Sequence, residues 1–228
     1  MMNSNQIKNL VQRLYEGRKA DYLRPRIVEH LSQVGEGVKM VTNEITQKNP
    51  KLSRLFNIEE ISLAGALHDI GRFLHYSQSF HEIRGYLWLL ENGLQEGVAE
   101  TKSQLERIAK IILPHSVVAE QFSLPENLWE IKQFYNIHID MLFPSTWQQV
   151  IVSYTDLNID KKGIIGDFEK RIEDLVIKAN DQEYAESNPT LAKGLNLGMK
   201  RIKEMCQIVE NLRKGKLQES QIKRYSFE

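Results

Sequence analysis

The stretch ISLAGALHDIGRFLHY, residues 61–76, sets His68 directly beside Asp69 inside a run that is otherwise small and apolar. Ile61, Leu63, Ala64, Ala66 and Leu67 belong in a core. A carboxylate buried among them without a partner costs on the order of several kcal/mol, and a buried imidazole also needs partners. Taken alone, the pair reads as a satisfied core histidine followed by a helix-end aspartate. The surrounding sequence changes that weighing.

Outward from this stretch the pattern is helical almost everywhere. In RPRIVEHLSQVGEGVKMVTNEITQKNP, residues 24–50, the positions Ile27, Leu31, Val34, Val38, Val41 and Ile45 recur at steps of four and three, the mark of one buried stripe. This spacing predicts a helix from Pro25 to just before Pro50. Further helices are expected over 58–71, over 80–91 with Asn92-Gly93 closing it, and over about 100–113, 126–140, 145–159, 166–180 and 189–213. Strand-like alternation is scarce, so the fold class is all-α, a compact multi-helix bundle.

Neither internal repeats nor a Gly/Ser- or Pro-rich linker divides the 228 residues. The C-terminal helix carries its own stripe, Leu191, Leu195, Met199, Ile202, Met205, Ile208 and Leu212, which implies packing on the body rather than a free arm. A single domain over 1–228 is therefore expected. Gly35 and Gly37 inside the long helix cost stability, and a close helix contact near His30 would account for them. Trp88, Trp129 and Trp147 sit among apolar residues and read as core.

Thirty basic residues balance thirty acidic ones, so no net field draws the chain toward nucleic acid or an anionic membrane. No apolar run is long enough to span a bilayer, and the start MMNSNQIKNLVQRLYEGR has no signal-like block; the expectation is a soluble, cytoplasmic protein. Cys206 is the only cysteine, which rules out an internal disulfide and a thiolate-rich zinc site. Any metal must sit mainly on nitrogen and oxygen.

Such ligands recur on apolar borders. His30 lies beside the stripe of its helix, with Ile27 and Val34 as its i−3 and i+4 neighbours. His81 opens FHEIRGYLWLL, His115 ends IAKIILPHS, and Asp156 lies in VIVSYTDLN. A divalent cation would satisfy all of them together with His68 and Asp69. Imidazole and carboxylate suit iron, manganese, nickel or zinc, with magnesium also open, and a carboxylate can bridge two ions. Adjacent helical residues point about a hundred degrees apart, so an ion shared by His68 and Asp69 must lie over the edge between them. Asp69 can then face two metals.

In their order and context, His30, the His68-Asp69 pair of LHDIG and Asp156 of YTDLN resemble the H…HD…D signature of the HD-domain superfamily of metal-dependent phosphohydrolases. The resemblance runs over about residues 22–165, with the helices of about 166–213 packed on that core. It implies that His30, His68, Asp69 and Asp156 bind one divalent metal. His81 and His115 resemble the two additional histidines of members with two metals, and imply a second ion bridged by Asp69. Two-metal members often double the later histidine, whereas here Ser116 follows His115, and Arg72 stands where Lys commonly follows HDIG.

The implied activity is phosphoester hydrolysis of a small phosphorylated molecule, with a nucleotide as the class the resemblance suggests. A metal lowers the pKa of bound water from about 15.7 toward neutrality and polarises a phosphoryl oxygen. His68 and Asp69 are then catalytic candidates, Asp69 or Asp156 being able to accept a proton. Arg72, four residues after His68, joins Arg26 and Arg84 as candidate phosphate-binding residues, Arg72 with a catalytic role as well. His75 and Tyr76 are candidates for the pocket mouth. Two alternatives stay open: an HD-type di-iron oxygenase, and a non-catalytic metal- or nucleotide-binding regulatory module. A homodimer is also open.

Overall fold

In the computed structural model, which describes residues 2–16, 26–75, 79–216, 222 and 224–226, the chain folds into helices joined by short 3₁₀ turns. The helices are α1 (Ser4–Glu16), α2 (Ile27–Lys48), α3 (Ile58–Leu67), α4 (His81–Asn92), α5 (Lys102–Ile112) and α6 (Val118–Phe122). They continue as α7 (Leu128–Ile131), α8 (Trp147–Asn158), α9 (Phe168–Asn180), α10 (Gln182–Ser187) and α11 (Pro189–Arg213). Among the described residues β-structure is limited to two isolated bridges, Thr146 with Ser226 and Ile159 with Ile165. The expected all-α bundle is the observed one.

The long stripe of α2 is buried throughout: Ile27, Leu31, Val34, Val38, Val41 and Ile45 are each 5% exposed or less. Each such side chain contributes roughly 1.5–3 kcal/mol of apolar burial, so this face fixes how α2 lies. It lies along α3, and Gly35 of α2 with Gly65 of α3 lets the two approach. A Cβ on Gly35 would stand 2.8 Å from Ala66 Cβ, and one on Gly65 would stand 2.8 Å from Val38 Cγ2. A Cβ on Gly37 would press 2.8 Å from Thr155 Cγ2, where α8 crosses. The stability that glycine forfeits inside a helix is thus exchanged for a three-helix junction below His30.

Caps set several boundaries. The Asn57 side chain accepts from the Glu60 amide, starting α3, while Thr146 and Gln149 form a reciprocal capping box at the start of α8. Helix α3 stops at Leu67 rather than running to Gly71 as expected, because the chain leaves the helix at Asp69 and turns through a 3₁₀ segment, Ile70–Phe73. Gly93 has ordinary helical geometry; the left-handed glycine in that connection is Gly97. The expected start at Pro25 lies outside the described residues.

The helix expected over 126–140 is broken. It is a chain of short pieces, with 3₁₀ turns at Pro125–Asn127, Lys132–Phe134 and Ile139–Leu142 around the single turn of α7. Phe134 and Ile137 are buried and Ile131 packs partly against them, while Leu128, at the same spacing of three, is 59% exposed. Phe134, Ile137 and Leu142 join Phe80, Ile83 and Val118 in a small second core, while Trp129 points outward and is 78% exposed. The core reading of Trp129 is therefore corrected: one turn of helix has a single inward position, and Ile131 takes it. Trp147 is fully buried and its indole N–H donates to the Ile222 carbonyl at 3.0 Å; Trp88 is half-buried.

Helices α1, α6 and α10 are additional to the expected set. Ile7, Leu10 and Val11 of α1 do carry a short i, i+3, i+4 stripe, and all three are buried. Helix α11 packs against α2, α6, α8, α9 and α10, which ties the C-terminal segment to the helices that carry the His and Asp residues. Among the described residues no helix is long and apolar enough to cross a membrane.

Candidate metal centre

Six separate segments bring the candidate ligands together. His30 stands in the first turn of α2, and His68 caps the C-terminal end of α3. Asp69 begins the 3₁₀ turn that follows, and His81 is the first residue of α4. His115 lies between α5 and α6, and Asp156 is in the last turns of α8. The turn after Asp69 can press onto α4 only because its second residue is glycine. A Cβ on Gly71 would fall 1.8 Å from the His81 carbonyl oxygen and 2.6 Å from the Gly85 amide nitrogen. On the other side of that contact Phe80 adopts φ 54°, its ring fully buried edge-on against Phe122 and Phe134.

The ligand atoms fall into two groups that share Asp69. In the first, Asp156 Oδ1 is 3.1 Å from His30 Nε2 and 3.2 Å from His68 Nε2, and Asp69 Oδ2 is 3.8 Å from His68 Nε2. In the second, Asp69 Oδ1 is 2.7 Å from His81 Nε2 and 3.4 Å from His115 Nε2. Candidate ligand atoms of His30, His68 and Asp69 lie within 4.8 Å of one another, and so do those of Asp69, His81 and His115. The four imidazoles are packed in sequence, with His68 5.5 Å from His30 and 5.0 Å from His115 between ring centres, and His81 5.3 Å from His115.

Hydrogen bonds behind the rings settle which nitrogen faces inward. His68 Nδ1 donates to the Gly65 carbonyl at 2.7 Å and His115 Nδ1 to the Ile112 carbonyl at 2.6 Å. A carbonyl only accepts, so both Nδ1 atoms carry the proton, and a neutral ring presents its Nε2 lone pair to the carboxylates. Such backing is what metal-bound histidines use to fix tautomer and orientation. Behind His81, Nδ1 lies 3.3 Å from Glu82 Oε2, a buried carboxylate. Glu82 is not among the expected site residues, although an acid beside a candidate ligand in an apolar segment is a usable signal.

The consequence is a cluster of acceptors facing acceptors. His68 Nε2, His115 Nε2 and Asp69 Oδ1 are buried and make no hydrogen bond of normal geometry. A lone pair set 3.2 Å from a carboxylate oxygen, as His68 is from Asp156, is favourable only with a proton or a cation between them. The electrostatics of the metal-free protein say the same. Burial alone would raise the Asp69 carboxyl, but the Arg72 guanidinium, with His68 and His81, holds it well below the usual carboxylate range. Burial opposes the charged form of Asp156 too, yet His68 and His30 hold that carboxyl well below its range. Conversely, burial would lower His30 and His68, but the Asp156 and Asp69 carboxylates together outweigh it, so both sit above the ordinary histidine value.

The two groups differ in their access to water. The His30 side chain is 32% exposed and that of Asp156 19%, with His68 fully buried beneath them, whereas those of His81 and His115 in the second group are 7% and 1%. The cluster therefore opens to solvent on the α2–α8 side and is closed behind His115.

The three arginines separate. Arg72 Nε donates to Asp69 Oδ2 at 2.5 Å, which fixes a cation at the edge of the first group. Arg84 instead binds Glu130 and the Ser79 carbonyl and lies over the Phe134 ring, a brace for the 125–142 segment. Arg26 stands at φ 68° before α2 with its side chain 71% exposed, 3.9 Å from Glu29. The cation whose charge bears on His30 is Arg72. His75 is half-buried, and Tyr76 lies outside the described residues. No protein-family model, curated protein or solved structure matches the chain.

Proposed function

We propose that this chain is a metal-dependent phosphohydrolase of the HD type, acting on a small phosphorylated molecule, with a nucleotide as the first class to test. The observation that carries the reading is the division of Asp69, one carboxylate oxygen toward His81 and His115 and the other toward His68 and Arg72. A carboxylate so divided suits two ions, His30, His68 and Asp156 completing one position and His81 and His115 the other.

The donor set fits that assignment. Four imidazoles and two ionised carboxylates, with no thiolate, favour iron, manganese, nickel or zinc over calcium or magnesium. Bound there, a divalent cation supplies Lewis acidity, polarising a phosphoryl oxygen and lowering the pKa of water toward neutrality. The chain's own groups do the rest. Two dications on two carboxylates leave the site cationic, and Arg72 adds a fixed positive charge, so an anionic substrate is favoured. It would approach from the exposed edge formed by His30 and Asp156. Arg72 would orient a phosphate oxygen, and Asp156, on the solvent side, would accept the proton released by the attacking water.

The test pairs elemental analysis of the purified protein with a panel of phosphoesters assayed with and without Mn²⁺, Ni²⁺ or Fe²⁺. The expected result is about two ions per chain and hydrolysis that His68→Ala abolishes. Protein that binds none of these ions, and whose stability is indifferent to His68→Ala and Asp69→Ala, would overturn the reading. An oxygen-dependent product with iron, in place of hydrolysis, would redirect it to oxidation.

A further inference from the structure

We propose that Arg201, on α11, is a positioning residue for His115 and so governs the inner of the two ion positions; this rests on the two-ion reading above. Arg201 lies beyond residues 22–165 and grips the segment that follows His115. Arg201 Nε and Nη2 hold both oxygens of Glu120, at 2.8 and 2.9 Å, and Nη2 also donates to the Ser116 carbonyl at 2.8 Å. Ser116 directly follows His115 and stands at φ 59°, in a left-handed conformation that a non-glycine residue holds only when its surroundings impose it.

The rest of α11 is shaped for this grip. A Cβ on Gly198 would stand 2.9 Å from Glu120 Cδ and 3.0 Å from Val117 Cγ1, and one on Gly194 would stand 2.8 Å from Gln121 Cγ. Small residues at these two positions let α11 lie against the 116–121 segment, and Arg201 reaches over to close it, with Phe143 beneath its guanidinium. The peptide after His115 is thereby pinned from outside while its ring is pinned from inside by the Ile112 carbonyl. Release of the outer pin lets Ser116 relax toward ordinary φ, which swings the His115 backbone and takes Nε2 off the line to Asp69 Oδ1. His30, His68 and Asp156 are on other elements and keep their places.

The experiment is a Mn²⁺ titration of the full chain by calorimetry, with the paramagnetic resonance signature of a coupled ion pair as the second readout. Arg201→Met is expected to weaken the second ion roughly 10- to 100-fold, the usual effect of losing a residue behind a ligand, and to erase the coupled signature while the first ion binds as before. Arg213→Met is the control, because Arg213 is also an arginine of α11 in an ion-pair network, with Glu210 and Glu44. It is expected to lower the denaturation midpoint and leave both ions in place. Arg201→Lys covers a misfolded Arg201→Met: it keeps the charge beside Glu120, cannot grip both Glu120 and Ser116, and is expected to lose the second ion too. Wild-type constants for both ions in either Arg201 variant would overturn this inference alone. Equal weakening in Arg201→Met and Arg213→Met would do so as well. A wild-type chain that binds no ion pair would overturn the two-ion reading and this inference with it.

Discussion

Gly71 and His81 meet backbone to backbone: a Cβ on Gly71 would stand 1.8 Å from the His81 carbonyl oxygen. Neither atom belongs to a flexible side chain, so the contact cannot be relieved locally. Gly71→Ala is expected to cost about 3 kcal/mol or more, the upper end for overpacking, and to push α4 away from Asp69. Denaturant unfolding checks it. A midpoint equal to that of the wild type would mean that the turn and α4 do not meet as described.

Metal counts should split by residue. Asp156→Asn is expected to reduce turnover by roughly 100-fold or more, the loss of several kcal/mol of metal-assisted stabilisation. His115→Ala is expected to leave about one ion per chain in place of about two. If His115→Ala released no metal, a single-ion centre on His30, His68, Asp69 and Asp156 would be the better description.

The metal-free protein should show a defined pH window. His30 and His68 have raised values, so their contribution is full below the ordinary histidine pKa near 6.5 and is lost as pH rises through the raised values. Asp69 and Asp156 are depressed, so theirs is present above about 3.8 and is lost as pH falls through the lowered values. Thermal melts in chelator should therefore peak between those limits and decline toward alkaline pH. Added metal, which replaces the histidine protons, should stabilise more as pH rises. A chelated protein that gains stability from pH 7 upward would contradict this account of His30 and His68.

Two tryptophans should behave oppositely. Trp129 is 78% exposed, and Trp129→Ala is expected to change stability by no more than about 0.5 kcal/mol. Trp147 is fully buried with its indole N–H bonded to Ile222, and Trp147→Ala is expected to cost about 3–5 kcal/mol. Comparable losses in both would show that Trp129 is covered.

The long amphipathic elements were legible because burial follows the 3.6-residue period directly. The stripe of α2 lies in the core as its spacing predicts, that of α11 does so apart from the half-buried Leu191 and Met199 packed against it, and α11 spans the expected 189–213. The six ligand candidates were legible because ionisable groups on apolar borders are costly without partners, and their side chains do converge, Asp156 through His30 and His68. What escaped depends on contacts between distant segments. The end of α3 is set by the fit of Gly71 against α4, and the fragmentation of 126–140 by a second core that includes Phe80 and Val118. Arg84 has the sequence position of a substrate arginine, yet Glu130, 46 residues on, engages it. Arg201 lies 85 residues from Ser116 in the chain and pattern alone gives it no mark, whereas Glu82 is marked by its place beside His81 in an apolar segment.

His30 and Asp156 meet although 126 residues separate them in the chain. A cation held by both would act as a reversible clasp across more than half the sequence, closing a loop whose closure entropy is otherwise set against folding. Because an ion that binds only the folded chain stabilises it by mass action, the lifetime of the fold would follow metal supply. Starved of metal, the α2–α8 edge would open first, and limited proteolysis there would register the starvation before any assay of turnover.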